Sequence, residues 1–416
     1  MKKTNSKRPS RREAAILGQI CELIPGHVVS KAARVLGVDE QARSFSPWSH
    51  LVAMVHAQMS HALSLNDVCD GLNNWRTPLA AIRGATPPSR NALSHANKIR
   101  SCELPQRVLY ATLEHLQRQW PRFGASPSPR YAWRFKAPIS VVDSTVIELV
   151  ASCLDWAKHR RRKAAAKCHL RLSLRSLLPQ CAVIDTAAEH DNRRARELCA
   201  GLRAGEIVVF DKAYLALAHL HELQSRGVNF VTRAREDLAY TVVHHREAAG
   251  QVLRDCIIRL NGPLSTERYP GELRLVEMNV EVEGELRRLT FLTNNQTWQP
   301  RSVGDLYRSR WQIEAFFKQV KQTLQLTDFL GHSANAVQWQ VWVALLVYVL
   351  LRFLAWQHHW AHSFSRLLTM LRSGLWMRRT IADLLRRCGT ADGNYAALER
   401  RCHHGDELPG LVGQPT

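Results

Sequence analysis

The sequence predicts a mixed α/β domain that follows an all-helical N-terminal region. Between about residues 10 and 122, apolar residues recur at spacings of three and four, as they do in amphipathic helices. Beyond residue 130, short apolar runs, turn signals and helical stretches follow one another in the order β-β-β-α-β-α-β, which is typical of a mixed sheet. The 416 residues, 45% of them hydrophobic, are enough for a large buried core.

Proline-containing turns divide the N-terminal region into short helices. They occur at Ser46-Pro47 and at Thr86-Pro87-Pro88. Residues 89–101 predict a helix that Ser89 caps and that has one polar, basic face. Such a face occurs on ordinary amphipathic helices and on helices that lie on DNA, and the sequence leaves both interpretations open. A linker rich in Pro, Ser and Arg, residues 121–130, predicts a domain boundary near 125.

The first three predicted strands follow one another closely, which indicates an antiparallel meander, and the later strands are joined by helices. The predicted strands are residues 139–143, 169–174, 181–185, 206–211 and 228–232, with helices at 191–202 and 214–225. A long helix is predicted from about Ser302, followed by an apolar helix at 335–356. The predicted domains are 1–125 (helical), 126–235 (first part of the sheet core), 236–292 (β-rich insertion), 293–365 (second part of the core) and 366–416 (basic helical tail).

The chain is strongly basic. It has 57 Lys and Arg against 36 Asp and Glu, a formal net charge of +21. A polyanion is the expected partner, with nucleic acid the first candidate. Residues 158–175 contain eight Lys or Arg and no acid, which indicates either a solvated face or, as we favour at this position, contact with a DNA backbone.

We expect a cytoplasmic protein with no membrane partner. The apolar run at 341–351 is shorter than the roughly 20 residues that a membrane span needs, so it predicts a buried core helix. The basic first twelve residues are not followed by a continuous signal-peptide core. The ten cysteines form no CxxC pair, and Cys402-His403-His404 lacks the second pair of ligands that a zinc site needs.

Three acidic residues stand where folding does not require an acid. Asp143 and Asp211 each end an apolar strand, and Glu314 lies among apolar residues of a predicted helix. Strand ends converge in an α/β sheet, so these carboxylates are candidates for a site that holds Mg²⁺ or Mn²⁺, with two ions acting on a phosphodiester. The alternative is that each Asp simply caps a turn or the next helix.

The Glu314 segment carries a spaced set of polar residues. Tyr307, Arg310, Glu314 and Lys321 have spacings of three, four and seven, which would place them on one stripe of a single helix. A carboxylate flanked by cations on one face can bind metal while its neighbours grip phosphate oxygens.

This stripe, Y-x2-R-x3-E-x6-K, resembles the signature of the DDE transposases of bacterial insertion sequences, specifically the YREK branch of the insertion-sequence-four family. The text around it is also similar: LYRSRWQIEAFFK at 306–318, LTNN at 292–295 and DKAY at 211–214. The resemblance covers roughly residues 139–356. It implies a ribonuclease-H-like catalytic fold with an all-β insertion, preceded by a helical domain that binds DNA ends.

By match of motif, Asp143, Asp211 and Glu314 are the catalytic triad and hold two Mg²⁺ or Mn²⁺ ions. Asp185 is the alternative first acid, but we prefer Asp143 because in that fold its strand neighbours the strand of Asp211. Asp191 is assigned to a helix cap. The resemblance further implies DNA contacts by Tyr307, Arg310 and Lys321, to which we add Lys318 and Trp311. Trp311 and Trp298 either pack against the protein or stack on a flipped base.

The implied function is a transposase that binds the terminal inverted repeats of its insertion sequence, cleaves DNA with metal ions and transfers the strand to target DNA. The resemblance implies a homodimer in the synaptic complex. Two other classes remain: a DNA-binding regulator with a decayed catalytic domain, and a structure-selective nuclease of the same fold. The intact stripe argues against decay, and the extra N-terminal and β-rich regions argue against a minimal nuclease.

Overall fold

The computed structural model describes residues 14–38, 44–125, 135–149, 153–157, 164–186, 191–282, 285–324, 326 and 329–388. These residues form two compact units. The helical unit contains the chain up to Phe123 and again from Lys318, and the sheet unit contains Gly124–Phe317. The sequence-predicted cluster Cys402-His403-His404 and the basic residues 158–163 lie outside the described residues.

The helical unit is built from short helices around one long helix. Its members are α1 (Ile16–Glu22), α2 (Gly26–Val35), α3 (Pro47–Ser60), α4 (Leu65–Asn74), α5 (Arg76–Ala80), α6 (Arg90–Ile99), α7 (Glu103–Gln119), α14 (Ala334–Gln357), α15 (Phe364–Ser373) and α16 (Ile381–Leu385). Helix α14 packs against α3, α6, α7 and α15. The prediction grouped this apolar helix with the sheet core, whereas its contacts place it in the helical unit, because a helix that is apolar all round needs neighbours on every side.

Helix α14 is the buried core helix that the sequence predicts. By length and composition its 24 residues would suffice to cross a membrane, but 83% of its most apolar stretch is buried inside the protein. It begins after Ser333, whose hydroxyl accepts a hydrogen bond from the Ala336 amide. The Trp339 indole, fully buried, donates to the carbonyl of Arg100 at 2.8 Å. This bond satisfies the one polar atom of a large apolar side chain.

The described residues of the sheet unit form one nine-stranded mixed sheet in the order β3-β2-β1-β4-β5-β9-β8-β7-β6. The strands are β1 (Ile139–Leu149), β2 (Ala164–Ser173), β3 (Pro179–Thr186), β4 (Ile207–Phe210), β5 (Asn229–Arg233), β6 (Tyr240–Arg246), β7 (Val252–Leu260), β8 (Glu272–Val282) and β9 (Glu285–Thr293). Strands β1, β2 and β3 pair antiparallel, and β1, β4 and β5 pair parallel, as the sequence predicts.

Helices connect and cover the strands. They are α8 (Leu154–Ala157), α9 (Asp191–Cys199), α10 (Leu217–Ser225), α11 (Pro263–Arg268), α12 (Pro300–Arg308) and α13 (Trp311–Thr323). A single 3₁₀ turn, Lys212–Tyr214, follows β4. Helix α13 continues past Phe317 into the helical unit.

The β-rich segment predicted at 236–292 differs from a separate all-β insertion in two ways. It contains the short helix α11, and its last strand, β9, pairs antiparallel with β5. Strands β6 to β9 therefore continue the core sheet. Phe291 and Leu292 are successive residues of β9 that point to opposite faces, and both are fully buried, as expected for an interior strand that is covered on both sides.

Two buried histidines of α3 generate a prediction about stability. Burial lowers the pKa of His50 to about 3 and that of His56 to about 4. An unfolded chain takes up these protons near pH 6.5, so unfolding binds protons below that pH. We expect stability to fall as the pH drops from 6.5 to 5, by up to about 2 kcal/mol for each histidine.

Urea unfolding at pH 7 and pH 5 measures this loss. His50→Gln and His56→Gln should each flatten the pH dependence, and replacement of the exposed His27 by Gln is the control that should not. An unchanged slope in both buried-site variants would show that other groups cause the acid sensitivity.

Candidate active site

Strand register brings Asp143 and Asp211 together. Strands β1 and β4 pair in parallel as far as Val142 opposite Phe210, so Asp143 and Asp211 are the next residues on each strand. Neighbouring strands lie about 4.8 Å apart, which makes the two residues neighbours at the carboxyl end of β4. The expectation that Asp143 ends its strand is wrong, because β1 continues to Leu149 through its antiparallel pairing with β2.

Arg310 joins Asp143 to Glu314. Its Nη1 lies 2.5 Å from Asp143 Oδ2, and its Nη2 lies 2.6 Å from Glu314 Oε1. The Arg310 and Asp143 side chains are only 13% and 16% exposed, so water screens their interaction weakly. One guanidinium thus pairs with two carboxylates that come from distant parts of the chain.

Tyr307 contacts the second aspartate. Its hydroxyl donates a hydrogen bond to Asp211 Oδ1 at 3.0 Å, and its ring packs on Phe291. Burial, together with the negative charge of Asp211, holds the pKa of Tyr307 well above its ordinary value. Tyr307 therefore remains a hydrogen-bond donor to Asp211 at neutral pH.

The predicted single helix through Tyr307, Arg310 and Glu314 is wrong. Tyr307 lies in α12, Glu314 in α13, and Arg310 in the turn between them. The buried Ser309 causes this break: its hydroxyl donates to the Leu306 carbonyl at 2.5 Å, and its amide is shared between the carbonyls of Asp305 and Leu306. A serine that competes for backbone carbonyls tightens a helix locally. The three side chains still converge, but through the bend and not along a helical stripe.

Buried contacts set the position of α12. Arg274, fully buried, pairs with Asp255 through two hydrogen bonds of 2.8 and 2.7 Å. Its remaining Nη1 donates to the Trp298 carbonyl, in the loop that leads into α12. Within α12, a Cβ on Gly304 would collide with Met278 Sδ of β8, so a larger residue there would require the flexible Met278 side chain to shift.

The electrostatics of Asp143 reflect a crowded acidic site. Burial raises the pKa of Asp143 to about 6, and the neighbouring Asp211 adds to the rise. Arg310 and the Ser144 amide, which donates to Asp143 Oδ1 at 2.8 Å, act in the opposite direction. Such a carboxylate gains from any added positive charge.

The carboxylate oxygens of Asp143, Asp211 and Glu314 are the donor type that hard divalent cations prefer. Across the described parts of the chain, however, no three His, Cys, Asp or Glu side chains are close enough to hold one ion together. The Arg310 guanidinium bridges two of the three acids instead. The donor set therefore fits a divalent ion in chemistry, with Arg310 supplying the positive charge in the structure described.

The remaining predicted DNA-contacting residues lie on α13. Trp311 begins that helix and is 42% exposed, so its ring face is accessible. Lys318 and Lys321 lie in the second half of α13, which belongs to the helical unit. Trp298 is partly buried, and its ring packs edge-on against Phe135 at 5.3 Å, which supports the packing interpretation for this residue.

The alternative acid Asp185 has another partner. It lies on β3, separated from β1 by β2, and it accepts hydrogen bonds from Arg194 of α9. In the described part of the basic stretch, Arg171 is buried and Arg175 donates to the carbonyls of Phe135 and Lys136. These two arginines therefore lie within the sheet unit or bond to its backbone.

Sequence reasoning missed a second polar group behind the aspartates. Asp191 is the first residue of α9, and its carboxylate contacts Ser144, Lys167 and His169. Its assignment to a helix cap overlooked these contacts. A signal was present in β2, where Lys167 and His169 alternate with apolar residues and so share one face of the strand.

The chain is similar in sequence to known families and proteins. Residues 134–350, more than half of the chain, match the family described as Transposase DDE domain. Residues 12–81 match a second family, described as Domain of unknown function (DUF4372).

Several proteins are similar in sequence. A Sinorhizobium fredii protein named as a transposase, y4zB, is 28% identical over 72% of this chain and 81% of its own length. A Geobacillus stearothermophilus protein named as a transposase for insertion sequence element IS5377 is 29% identical over 54% of this chain and 59% of its own. The Escherichia coli transposase InsG for insertion sequence element IS4 is 24% identical over 44% and 42%. The match to this chain thus spans less than two thirds of the length of the last two proteins.

Among solved structures, a cryo-EM structure of a piggyBac transposase synaptic complex with hairpin DNA is similar over 96% of this chain and 88% of that one. The identity is 9% and the TM-score 0.45.

The Arg310 bridge generates a prediction. Arg310→Gln removes the positive charge that lowers the pKa of Asp143, so that pKa should rise further above its value of about 6. Carbon-13 NMR titration, with the Asp143 signal assigned by its loss in Asp143→Asn, measures the change. Arg194→Gln, which frees Asp185 instead, is the matched control and should leave Asp143 unchanged. A pKa that stays at 6 in Arg310→Gln would contradict the bridge.

Proposed function

This chain belongs to the transposase DDE domain family and is an enzyme that acts on DNA, and we propose that Asp143, Asp211 and Glu314 are its catalytic triad. The observation that carries the assignment is that strand register makes Asp143 and Asp211 neighbours, while Arg310 bridges Asp143 to Glu314. Each acid comes from a separate element, and folding alone requires none of them there.

The family implies dependence on divalent metal ions, and the carboxylate donors fit them. We propose that Asp143, Asp211 and Glu314 hold two Mg²⁺ or Mn²⁺ ions. When bound, such ions lower the pKa of an attacking water or hydroxyl and stabilise the leaving oxygen of a phosphodiester.

The chain's own residues supply positioning and charge. Tyr307 holds Asp211 in place by its hydrogen bond. Arg310 neutralises Asp143 and Glu314 in the structure described, and its fork of donors also suits a DNA phosphate. We place Lys318 and Lys321 on the DNA backbone and Trp311 against a base, since Trp311 is exposed beside Arg310. The assignments of Arg310 and Lys321 follow the YREK signature, and those of Lys318 and Trp311 are our additions to it.

The substrate proposed is the pair of terminal inverted repeats of the enzyme's own insertion sequence, followed by target DNA. Two copies of the chain would hold the two ends in a synaptic complex. The family match, the net charge of +21 and the relatives named for insertion sequence elements support this proposal.

Within the helical unit, α6 is the surface that we propose for recognition of DNA ends. Ser89 caps it by accepting a hydrogen bond from the Ala92 amide at 3.1 Å. Leu93, Ala96 and Asn97 are buried, which fixes the helix to its unit. The opposite face is exposed and polar or basic: Arg90, Asn91, Ser94, His95 and Lys98. Side chains of this kind contact phosphates and base edges.

The triad makes a direct prediction. In a cleavage assay on DNA that carries the native element borders, Asp143→Asn, Asp211→Asn and Glu314→Gln should each lower the rate about 100- to 1000-fold or more, because each removes a charged oxygen from the reacting centre. Gel-shift binding to the borders should persist in all three.

Asp185→Asn is the matched control, since it neutralises an acid of the same sheet and should retain cleavage. Border binding without any cleavage by the unaltered chain would favour the decayed regulator. Cleavage that ignores the borders would favour the structure-selective nuclease.

The α6 surface makes a separate prediction. Arg90→Gln combined with Lys98→Gln should weaken border binding and reduce the slope of log affinity against log salt by about 2, one for each lost phosphate contact. Lys31→Gln combined with Arg34→Gln removes the same charge from α2 and serves as the control. Equal losses in both double variants would mean that net charge, and not the α6 face, determines binding.

A further inference from the structure

A network of polar side chains lies next to Asp143 and Asp211. It is connected to these two aspartates through backbone amides of its own residues. Its members are Asp191, Ser144, Lys167, His169 and Tyr214, and we call it the Asp191 network. Asp191 Oδ1 accepts a hydrogen bond from Ser144 Oγ at 3.1 Å. The same oxygen lies 2.8 Å from Lys167 Nζ and 3.5 Å from His169 Nδ1. One carboxylate oxygen therefore joins β1, β2 and the start of α9.

The network reaches Asp143 through Ser144. The hydroxyl of Ser144 is held by Asp191, and the backbone amide of the same residue donates to Asp143 Oδ1 at 2.8 Å. Because the two bonds leave one residue, Ser144 connects the Asp191 carboxylate to the Asp143 carboxylate. Asp191 is thus linked to Asp143 through a single intermediate residue.

The network reaches Asp211 through Tyr214. The amide of Tyr214 donates to the Asp211 carbonyl at 3.0 Å and closes the 3₁₀ turn after β4. At the other end of the side chain, the Tyr214 hydroxyl lies 2.9 Å from His169 Nδ1. Tyr214 is 1% exposed, so its ring is fixed in place. The turn that carries Asp211 is therefore tied to the same histidine that faces Asp191.

The network is shielded from water. Lys167 and Asp191 are only 16% and 17% exposed at their side chains, and His169 is fully buried. A charged pair at this depth is costly to desolvate unless its geometry is good, and breaking it by removing one partner leaves the other charge stranded. The Asp191 carboxylate has several hydrogen-bond and ion-pair partners, and it lies beside Asp143 and Asp211, whose carboxylates repel each other.

We propose that Asp191 is a positioning residue of the active site, which acts through Ser144 and Tyr214 to hold Asp143 and Asp211 at the spacing that the proposed divalent ions require. This inference rests on the proposed function. Replacing a residue that hydrogen-bonds to a metal ligand and orients it typically lowers metal affinity or activity by about 10- to 100-fold.

The test compares four variants of the full chain. Asp191→Ala removes every contact of the network's central carboxylate, whereas Asp191→Asn keeps an acceptor for Ser144 and loses the charge that faces Lys167. Ser144→Ala removes one hydroxyl and nothing else. Asp185→Asn is the matched control, because the Asp185–Arg194 pair also ties α9 to the sheet but does not reach Asp143.

The measurements are Mn²⁺ affinity by calorimetry without DNA, single-turnover cleavage at element borders, gel-shift affinity and thermal midpoint. We expect Asp191→Ala and Ser144→Ala each to weaken Mn²⁺ binding and slow cleavage about 10- to 100-fold, with gel-shift affinity within about twofold. Asp191→Asn should recover part of both losses. Asp185→Asn should lower the thermal midpoint without either loss.

Two results would overturn the inference. Mn²⁺ affinity unchanged in Ser144→Ala would break the path from Asp191 to Asp143, and this variant removes too little to prevent folding. Equal losses of Mn²⁺ affinity and cleavage rate in Asp191→Ala and Asp185→Asn would show that Asp191 only attaches α9 to the sheet. If the unaltered chain binds Mn²⁺ but cleaves no border DNA, the proposed function fails, while the Mn²⁺ affinities still decide the inference.

Discussion

The parallel register between β1 and β4 is the constraint on which the site depends. It makes Asp143 and Asp211 neighbours, and two carboxylates at that spacing repel each other in a partly buried place. The positive charge of the Arg310 guanidinium reduces this repulsion by pairing with Asp143, and the same group pairs with Glu314. A divalent ion would satisfy the same requirement, so the arrangement is stable with the arginine bridge and suited to metal.

The support for this site extends well beyond the acids. Helix α12 brings Tyr307 to Asp211, and its Gly304 lies directly against Met278 of β8. The buried Asp255–Arg274 pair fixes the loop before α12. The strands predicted as a separate insertion are therefore structural partners of the catalytic elements, since they carry the surface on which α12 rests.

The two units divide the proposed tasks. The sheet unit contains the three acids, Tyr307 and Arg310, whereas the helical unit contains the basic α6 face and is built around α14. The helical unit takes segments from both ends of the described chain, so its core forms only when sequence-distant helices pack together. Helix α13 links the units, with Glu314 in its first turn and Lys321 in its last.

The sequence by itself determined the local features: the helical N-terminal region, the succession of strands and helices from β1 to β5 along the chain, the Ser89 cap and the apolar α14, because periodicity and capping act over a few residues. It also singled out Asp143, Asp211, Tyr307, Arg310 and Glu314. Only the tertiary structure decided how they meet. The bend at Ser309, the extension of β1 past Asp143, the joining of β9 to β5 and the contacts of Asp191 all depend on residues far apart in the chain, and a local pattern carries no information about such partners.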